Sequence, residues 1–525
     1  MSVLGLDIGT SSVKGLLLTD EARIVGRARV GYRIRRPAPG WVEADAETVG
    51  RAAETVVRRM ALVAEESGDP IRAVAACASG DEAVWVDSAG RPVAATIMSL
   101  DTRSTDEALR LARSIGRRRL YATTGLPIHP MYPLVRLIWL RRHDPAAFAR
   151  VRAMLAWPEY LALRLGLEPK AEPTLAARTL AFDINRHDYD RDILATAGIG
   201  SDLFAPVVES GSIVGQIPRR IARLIGLRDR VALVAGGFDQ TMATFGAAVS
   251  EPGVAHVGSG SWEAVTTLAD AAVLTDRLRR SGFSWGPAVG SPARFTVMGS
   301  AGGGTILAWL RDLIAPRRSV GALVREAPDR PTTMLVLPHF EGSYSPWLDP
   351  ASRGALVGLD LATDPGTIVR GVLEGITFEL REQLERLGRA GIPVRELRAS
   401  GGGARSRTWL QLKADVTNLP VSRVATPDSG ALAVACLAAS AIGSFETPLT
   451  AVRAAVRVDL VIEPRQSFVS AYAERFARHR RIYPTLHRWQ AGDAPVTTPS
   501  RPPSGVDPTG RGPARSRRRG RPSQS

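Results

Sequence analysis

Twice along this chain, at VLGLDIGTSSVKGLLL (3–18) and at VAHVGSGSWEAVTTLA (254–269), runs of β-branched and leucine residues flank a tight turn of glycine and hydroxyl side chains. Each reads as a pair of strands joined by that turn. The second echoes the first in shape and turn chemistry, so the chain carries a weak internal repeat. Strand-like and helix-like stretches alternate through the rest, which selects an α/β architecture over an all-helical or all-β one. At 525 residues the chain far exceeds what a minimal core requires, and two large domains follow. With the boundary set between the helix after Asp239 and the second hairpin, they span residues 1–248 and 249–487 and enclose a cleft.

Composition removes whole function classes. No apolar run is long enough to span a bilayer, so no membrane partner is expected. The two cysteines, Cys77 and Cys436, lie far apart in apolar surroundings, which argues against a disulfide framework, a zinc ribbon or an iron–sulfur site and favours a reducing cytoplasm. The start, MSVLGLDIG, lacks the basic and apolar segments of a secretory signal. A formal charge of +16 invites a nucleic-acid reading, but residues 491–525 concentrate seven arginines against two aspartates, and the remainder is diffuse. From 488 onward the chain is rich in Pro, Gly, Ser and Arg, and reads as a disordered basic tail that touches nucleic acid or anionic lipid weakly at most. Lysine stands only at 14, 170 and 413, every other cationic side chain of this kind being arginine. That bias points to coding composition rather than to partners.

Four glycine-bearing turns stand at strand ends, at 9–12, 258–261, 299–304 and 401–403. Glycine lets backbone amides approach a phosphate closely and adopts the positive φ angles such loops use. The patterns GxxxxGK[ST] and GxGxxG are both missing, so neither a P-loop nor a dinucleotide fingerprint is present. Asp7, Thr10, Ser11 and Lys14 share the first hairpin, offering a carboxylate, hydroxyls and a cation to a magnesium–nucleotide, or a plain turn with a capping aspartate. VALVAGGFDQTMATFGAAV (231–249) reads as a buried strand, a turn at Gly236 and Gly237, and a helix beginning at Asp239. There the helix dipole favours an ionised carboxylate able to take a proton from a hydroxyl; an ordinary N-cap is the competing reading. Asp81, Glu82, Asp101 and Arg103 form a further polar group at strand ends, suited to the hydroxyls of a sugar or polyol, or simply solvated loops.

Taken together, these pieces resemble the FGGY family of carbohydrate kinases, of the actin, hexokinase and Hsp70 fold group, over about residues 3–450. GLDIGTSSVKGLLL is similar to the family's first phosphate motif, and GWVEAD to the segment after its first strands. AGGFDQTMATFGAA resembles the stretch with its catalytic aspartate, and VGSGSWEAV its second phosphate loop. GSYSPWLDPASRGALVGLDLATDPGTIVRGVLEGITFEL resembles its long second-domain signature, and SGGGARSRTWLQLKADVTNLPV its adenosine motif.

The resemblance implies two ribonuclease H-like domains around a central cleft, and an ATP- and magnesium-dependent kinase. Asp239 becomes the general base, with Asp7 and Asp239 on the magnesium side. Thr10, Ser11 and Lys14 lie by the transferred phosphate, and Gly258, Ser259 and Gly260 by the nucleotide phosphates. Gly302 and Gly303 stand nearby, while Gly401, Gly402, Gly403 and Ala404 border the adenosine. Asp81, Glu82, Asp101, Arg103 and Asp239 face the acceptor. Asp81 and Glu82 stand where xylulose kinases carry a histidine segment, and glycerol kinases have Gly-Asp-Gln-Gln where this chain has Phe238, Asp239, Gln240 and Thr241. Serine replaces the commoner threonine at 259. The expected acceptor is a ketose, a pentulose such as D-xylulose. A glycerol or tetritol kinase, a non-catalytic sugar- or nucleotide-binding protein of the same fold, and a homodimeric state stay open.

Overall fold

In the computed structural model, which describes residues 1–228 and 230–492, the first hairpin forms β1 (Ser2–Ile8) and β2 (Ser12–Thr19), antiparallel with Asp7 opposite Lys14. β3 (Ile24–Gly31) completes a meander. The amphipathic helix α1 (Ala46–Glu66), capped by Asp45 through the Thr48 amide, buries its small and branched residues against this sheet and returns the chain to β4 (Ile71–Ala78), parallel to β1. A largely helical segment follows before β5 (Ile213–Gln216) and β6 (Ala232–Phe238), and the finished sheet has the order β5-β6-β4-β1-β2-β3. Helix α2 (Asp239–Gly246) leaves its far end.

The second half rebuilds the same plan. β7 (Val254–Ser259) and β8 (Trp262–Ala269) form the second hairpin, followed by β9 (Ser284–Ala288), β10 (Ser291–Gly302), α3 (Gly304–Ile314) and the long α4 (Pro365–Arg389). Then come β11 (Glu396–Ser400), α5 (Arg407–Thr417), β12 (Val421–Val424), α6 (Ser429–Ala441) and β13 (Val458–Ile462). The order is β9-β10-β8-β7-β11-β12-β13. With β5 of the first sheet and β9 and β13 of the second set aside, β3-β2-β1-β4-β6 and β10-β8-β7-β11-β12 match: three antiparallel strands, then two parallel ones. The expected ribonuclease H-like doubling of the actin, hexokinase and Hsp70 fold is therefore present, and the weak repeat in the sequence is its trace.

Four local expectations are corrected. Gly236 and Gly237 make no turn. Both lie inside β6, where a Cβ on Gly236 would stand 1.8 Å from the Ala76 carbonyl oxygen, so glycine serves a close approach of β6 to β4 at a register shift. Gly299 to Gly302 likewise belong to β10, leaving Gly303 and Gly304 to begin the helix after it. The strand β11 does not run straight into α5: a 3-10 turn, Gly403–Arg405, intervenes, and Ser406 caps the helix. The last helix, Ile482–Gly492, passes the expected start of the tail at 488, and the rest of that tail lies outside the described residues. Among the described residues no helix is long and apolar enough to cross a membrane.

The two sheets are locked by an exchange. Helix α6, from the second half, packs on β1, β4 and β6 of the first sheet in one shared core that takes in Val3, Cys77, Val234 and residues 431–439. Small residues make this possible. A Cβ on Gly5 would lie 2.0 Å from the Ala431 carbonyl oxygen, and one on Gly246 would lie 2.0 Å from that of Ser429. Because those neighbours are backbone, they cannot swing aside. Gly5→Ala is therefore expected to destabilise the protein by about 3 kcal/mol, read as a lower denaturant midpoint with the slope unchanged.

Candidate active site

The first hairpin brings its polar residues to the end of the sheet. Lys14 Nζ lies 3.2 Å from Asp7 Oδ2 and 3.6 Å from Asp428 Oδ1, just before α6. Burial pulls the Lys14 pKa down, but the two carboxylates outweigh it and the net shift is upward. Gly9 N donates to Ser12 O, Tyr32 donates its hydroxyl to the Gly9 carbonyl, and Thr10 and Ser11 stand exposed at the tip. Since Asp7 and Gly237 pair with Cys77 from opposite sides, their backbones stand about 10 Å apart, two strand spacings.

Asp239 opens α2 but does not cap it. Phe238 holds the N-cap position, and one Asp239 carboxylate oxygen is buried with no hydrogen-bond partner. The expected preference for the ionised form is overturned: burial, then the charges of Asp7, Asp81 and Glu82, push its pKa up to about 8, against the opposing Gln240 amide. One helix terminus is worth too little to cancel desolvation together with three like charges. A sequence reading had no access to Glu172 and Thr174, which fix the strand end before it. Thr174 Oγ1 donates to Glu172 Oε2 at 2.6 Å and accepts the Phe238 amide at 2.8 Å. A Cβ on Gly237 would strike both side chains.

On the acceptor side, the four expected residues meet different fates. Arg103 binds Asp101 through Nε and Nη2 and Glu43 through Nη1, with its guanidinium 3.7 Å from the Trp41 ring centroid, while the Val42 amide also donates to Asp101. Both Asp101 oxygens are thus engaged and the Arg103 side chain is 4% exposed, so this pair buttresses the wall, and Asp101 itself lines the cavity beside it. Asp81 receives Nε and Nη2 of Arg178, at 3.0 and 2.7 Å. Arg178 went unnoticed in the sequence. Its guanidinium also stands 4.8 Å from the Phe238 ring, and the charge of Asp239 helps to raise its pKa. Buried Glu82 accepts from the Ser79 hydroxyl and the Ser99 amide, and burial with Asp81 alongside pushes its pKa up. A cavity of about 500 Å³ opens here between the halves, lined in part by Ser99, His129, Trp262, Glu341, Tyr344 and Leu348. Burial pushes His129 down to about 4, so it presents a neutral ring.

The glycine loops of the second half assemble in one place. Gly304 N donates to Gly260 O at 3.0 Å, and Thr305 N to Ser261 O at 3.1 Å. Cβ atoms on Gly303 and Gly401 would press on the backbone of 261–263 and of Ser259, the latter position having φ +85°. Buried Ala404 packs below them with Leu410 and Val257. This nest meets the catalytic side of the cleft, because a Cβ on Gly258 would lie 3.5 Å from Gln240 Oε1, next to Asp239. One expectation changes: the Ser259 hydroxyl does not face the cleft but donates inward to Glu263 at 2.8 Å, and the residue is 2% exposed. What remains there for an anion is backbone, whose amides bind phosphate without side-chain help.

Known proteins similar to this chain identify its family. The N-terminal domain of the FGGY family of carbohydrate kinases matches residues 2–246, and its C-terminal domain matches residues 257–442. A xylulose kinase from Staphylococcus epidermidis is 27% identical over 92% of this chain and 96% of its own length. A glycerol kinase from Aromatoleum aromaticum is 32% identical over 84% and 90%. The crystal structure of xylulose kinase from Rhodospirillum rubrum superposes with a TM-score of 0.83 at 26% identity, covering 93% of this chain and 99% of that one. Two family domains in order, on a doubled sheet, make this chain a member of the FGGY family of carbohydrate kinases, phosphotransferases that use ATP as the phosphate donor.

Proposed function

We propose that the protein transfers the γ-phosphoryl group of ATP to a primary hydroxyl of a ketose, a pentulose such as D-xylulose, giving the sugar phosphate and ADP. The observation that carries this reading is the buried, unpartnered oxygen of Asp239, at a strand end two strands away from Asp7 and its partner Lys14. Asp239 accepts the hydroxyl proton as the sugar oxygen bonds to the γ-phosphorus. The bond to the bridging oxygen breaks, and ADP leaves with that electron pair. Lys14 neutralises charge on the transferred group, and the amides of the 258–261 and 401–404 loops hold the nucleotide. Alignment and charge neutralisation supply most of the acceleration in such transfers. Similarity to xylulose kinases over more than nine-tenths of the chain supports the pentulose, as does a cavity with aromatic and imidazole walls. Two free, buried thiols are in keeping with a cytoplasmic setting.

Magnesium suits the residues present. Among the described residues no group of three or more His, Cys, Asp and Glu could hold a metal, but this cation keeps most of its waters and needs only one or two carboxylates besides the phosphates. Asp7, partly exposed at the crevice, and Asp239, with a free oxygen, are those two; bound there, the ion would screen the phosphates. The Asp239 carboxyl, held up by the charge of Asp7 among others, is also the kind of group that a nearby cation would return to its basic form.

A polyol acceptor is the second reading, favoured by the 30–32% identity to glycerol kinases. A panel of pentuloses, hexuloses and polyols in a coupled ADP assay separates the two: highest kcat/KM on a pentulose is expected, and highest kcat/KM on glycerol or a tetritol overturns it. Asp239→Asn should lower sugar-dependent ADP formation by about 10³-fold while ATP binding persists; unchanged turnover would remove the proposed base. In the wild type, kcat/KM for the sugar should rise with pH through about 8 as the free Asp239 loses its proton. Asp7→Asn, which deletes a like charge, should move that rise to lower pH while reducing the plateau.

A further inference from the structure

Of the three lysines in this arginine-rich chain, one is wholly buried. Lys413, on α5, is 0% exposed, and its Nζ lies 2.6 Å from Oε2 of Glu263, on β8, itself 3% exposed. The same carboxylate oxygen takes the Ser259 hydroxyl. On its other side, Nζ stands 4.2 Å from the centroid of the Trp409 ring, and that ring supports the other glycine loop. A Cβ on Gly403 would lie 2.7 Å from both Trp409 Cζ3 and Ser259 Cβ. Among the described residues the pair is thus tied at once to the 258–261 turn and the 401–404 turn.

Stability alone does not account for it. Desolvating two charges costs more than their attraction commonly returns, and apolar replacements of similar volume are often neutral or better. The second Glu263 oxygen makes matters worse, being buried with no partner, a further penalty. Arginine, used almost everywhere else in the chain, could not replace Lys413 here, because its broad planar fork does not fit where a compact ammonium sits between a carboxylate and an indole face.

We propose that Glu263 and Lys413 are positioning residues for the nucleotide, holding the phosphate loop and the adenosine loop at a fixed separation through Ser259 and Trp409. This inference rests on the reading of those two loops as the ATP site. The double variant Glu263→Leu with Lys413→Met, in the full chain, tests it. Its thermal midpoint should equal or exceed that of the wild type, yet its Kd for ATP, measured by titration calorimetry without sugar, should rise on the order of tenfold, the scale set by sub-ångström displacement of binding groups. Ser259→Ala, a small change that keeps the pair, should weaken ATP in the same direction and leave the sugar KM unaltered. A folded double variant that binds ATP as tightly as the wild type overturns the proposal, as does unchanged ATP affinity in Ser259→Ala should the double variant fail to fold. A wild type that binds no ATP at all would instead overturn the assignment of the loops.

Discussion

The crevice exists because α6 lies directly on β1. The helix that ends the second repeat crosses to the first sheet, and at Gly5 and Gly246 the backbones meet too closely for any side chain. Everything polar is hung from that seam. Asp428, at the start of α6, reaches Lys14 on the first hairpin. The carbonyl of Asp239 would lie 3.6 Å from a Cβ on Gly430, and Gln240 abuts Gly258 on the second hairpin. Two sheets that merely leaned together could not hold a proton acceptor and two phosphate loops in register. Two sheets that exchange a helix can, because the packed seam is dense and barely compressible.

Much of this was legible along the chain. The hairpins announce themselves because alternation and glycine turns are local, whereas Asp239 after its buried strand read equally as an N-cap, and only the family resemblance singled it out. What was misread was ambiguous in physics. Glycine signals either a backbone that needs positive φ or one that needs room, and Gly236 and Gly237 need only room: neither has positive φ. Asp101 and Arg103, two residues apart, could equally have been solvated loop residues, and Asp101 instead lines the cavity. Their mutual bonds, with Trp41 stacked on the guanidinium, depend on a neighbour brought from elsewhere in the chain. Arg178, Thr174 and Glu172 were invisible for the same reason, since each acquires meaning only from the strand end it meets. The pKa of Asp239 was misjudged because a single helix terminus is a local feature, whereas the opposing burial and the charges of Asp7, Asp81 and Glu82 are assembled by the sheet order.

The doubled fold also places one lysine–carboxylate pair at each hairpin, in opposite conditions. Asp7 and Lys14 are 3.2 Å apart with the lysine 38% exposed, whereas Glu263 and Lys413 are 2.6 Å apart and closed off from water. A partly exposed pair is weaker than a sealed one and more readily exchanged for other partners. That suits a site where phosphates and a cation must come and go with each turnover. A sealed pair cannot exchange, because either partner left alone would be a bare charge in the core. In the proposed reading the pair in the first half is the one free to respond to a ligand, whereas the pair in the second is held by its neighbours Ser259 and Trp409.

That division fits the chemistry each half is asked to perform. In the proposed transfer the charge distribution around Asp239 changes as a proton arrives and a phosphoryl group moves, so neighbouring groups there must be able to redistribute. The nucleotide, by contrast, needs to be held in one pose on amides whose spacing is set once, at folding. A chain in which arginine fills nearly every cationic position nevertheless keeps lysine at both of these places. The physical reason differs between them: at 14 a mobile point charge can follow the phosphate, and at 413 only a compact one fits between Glu263 and Trp409.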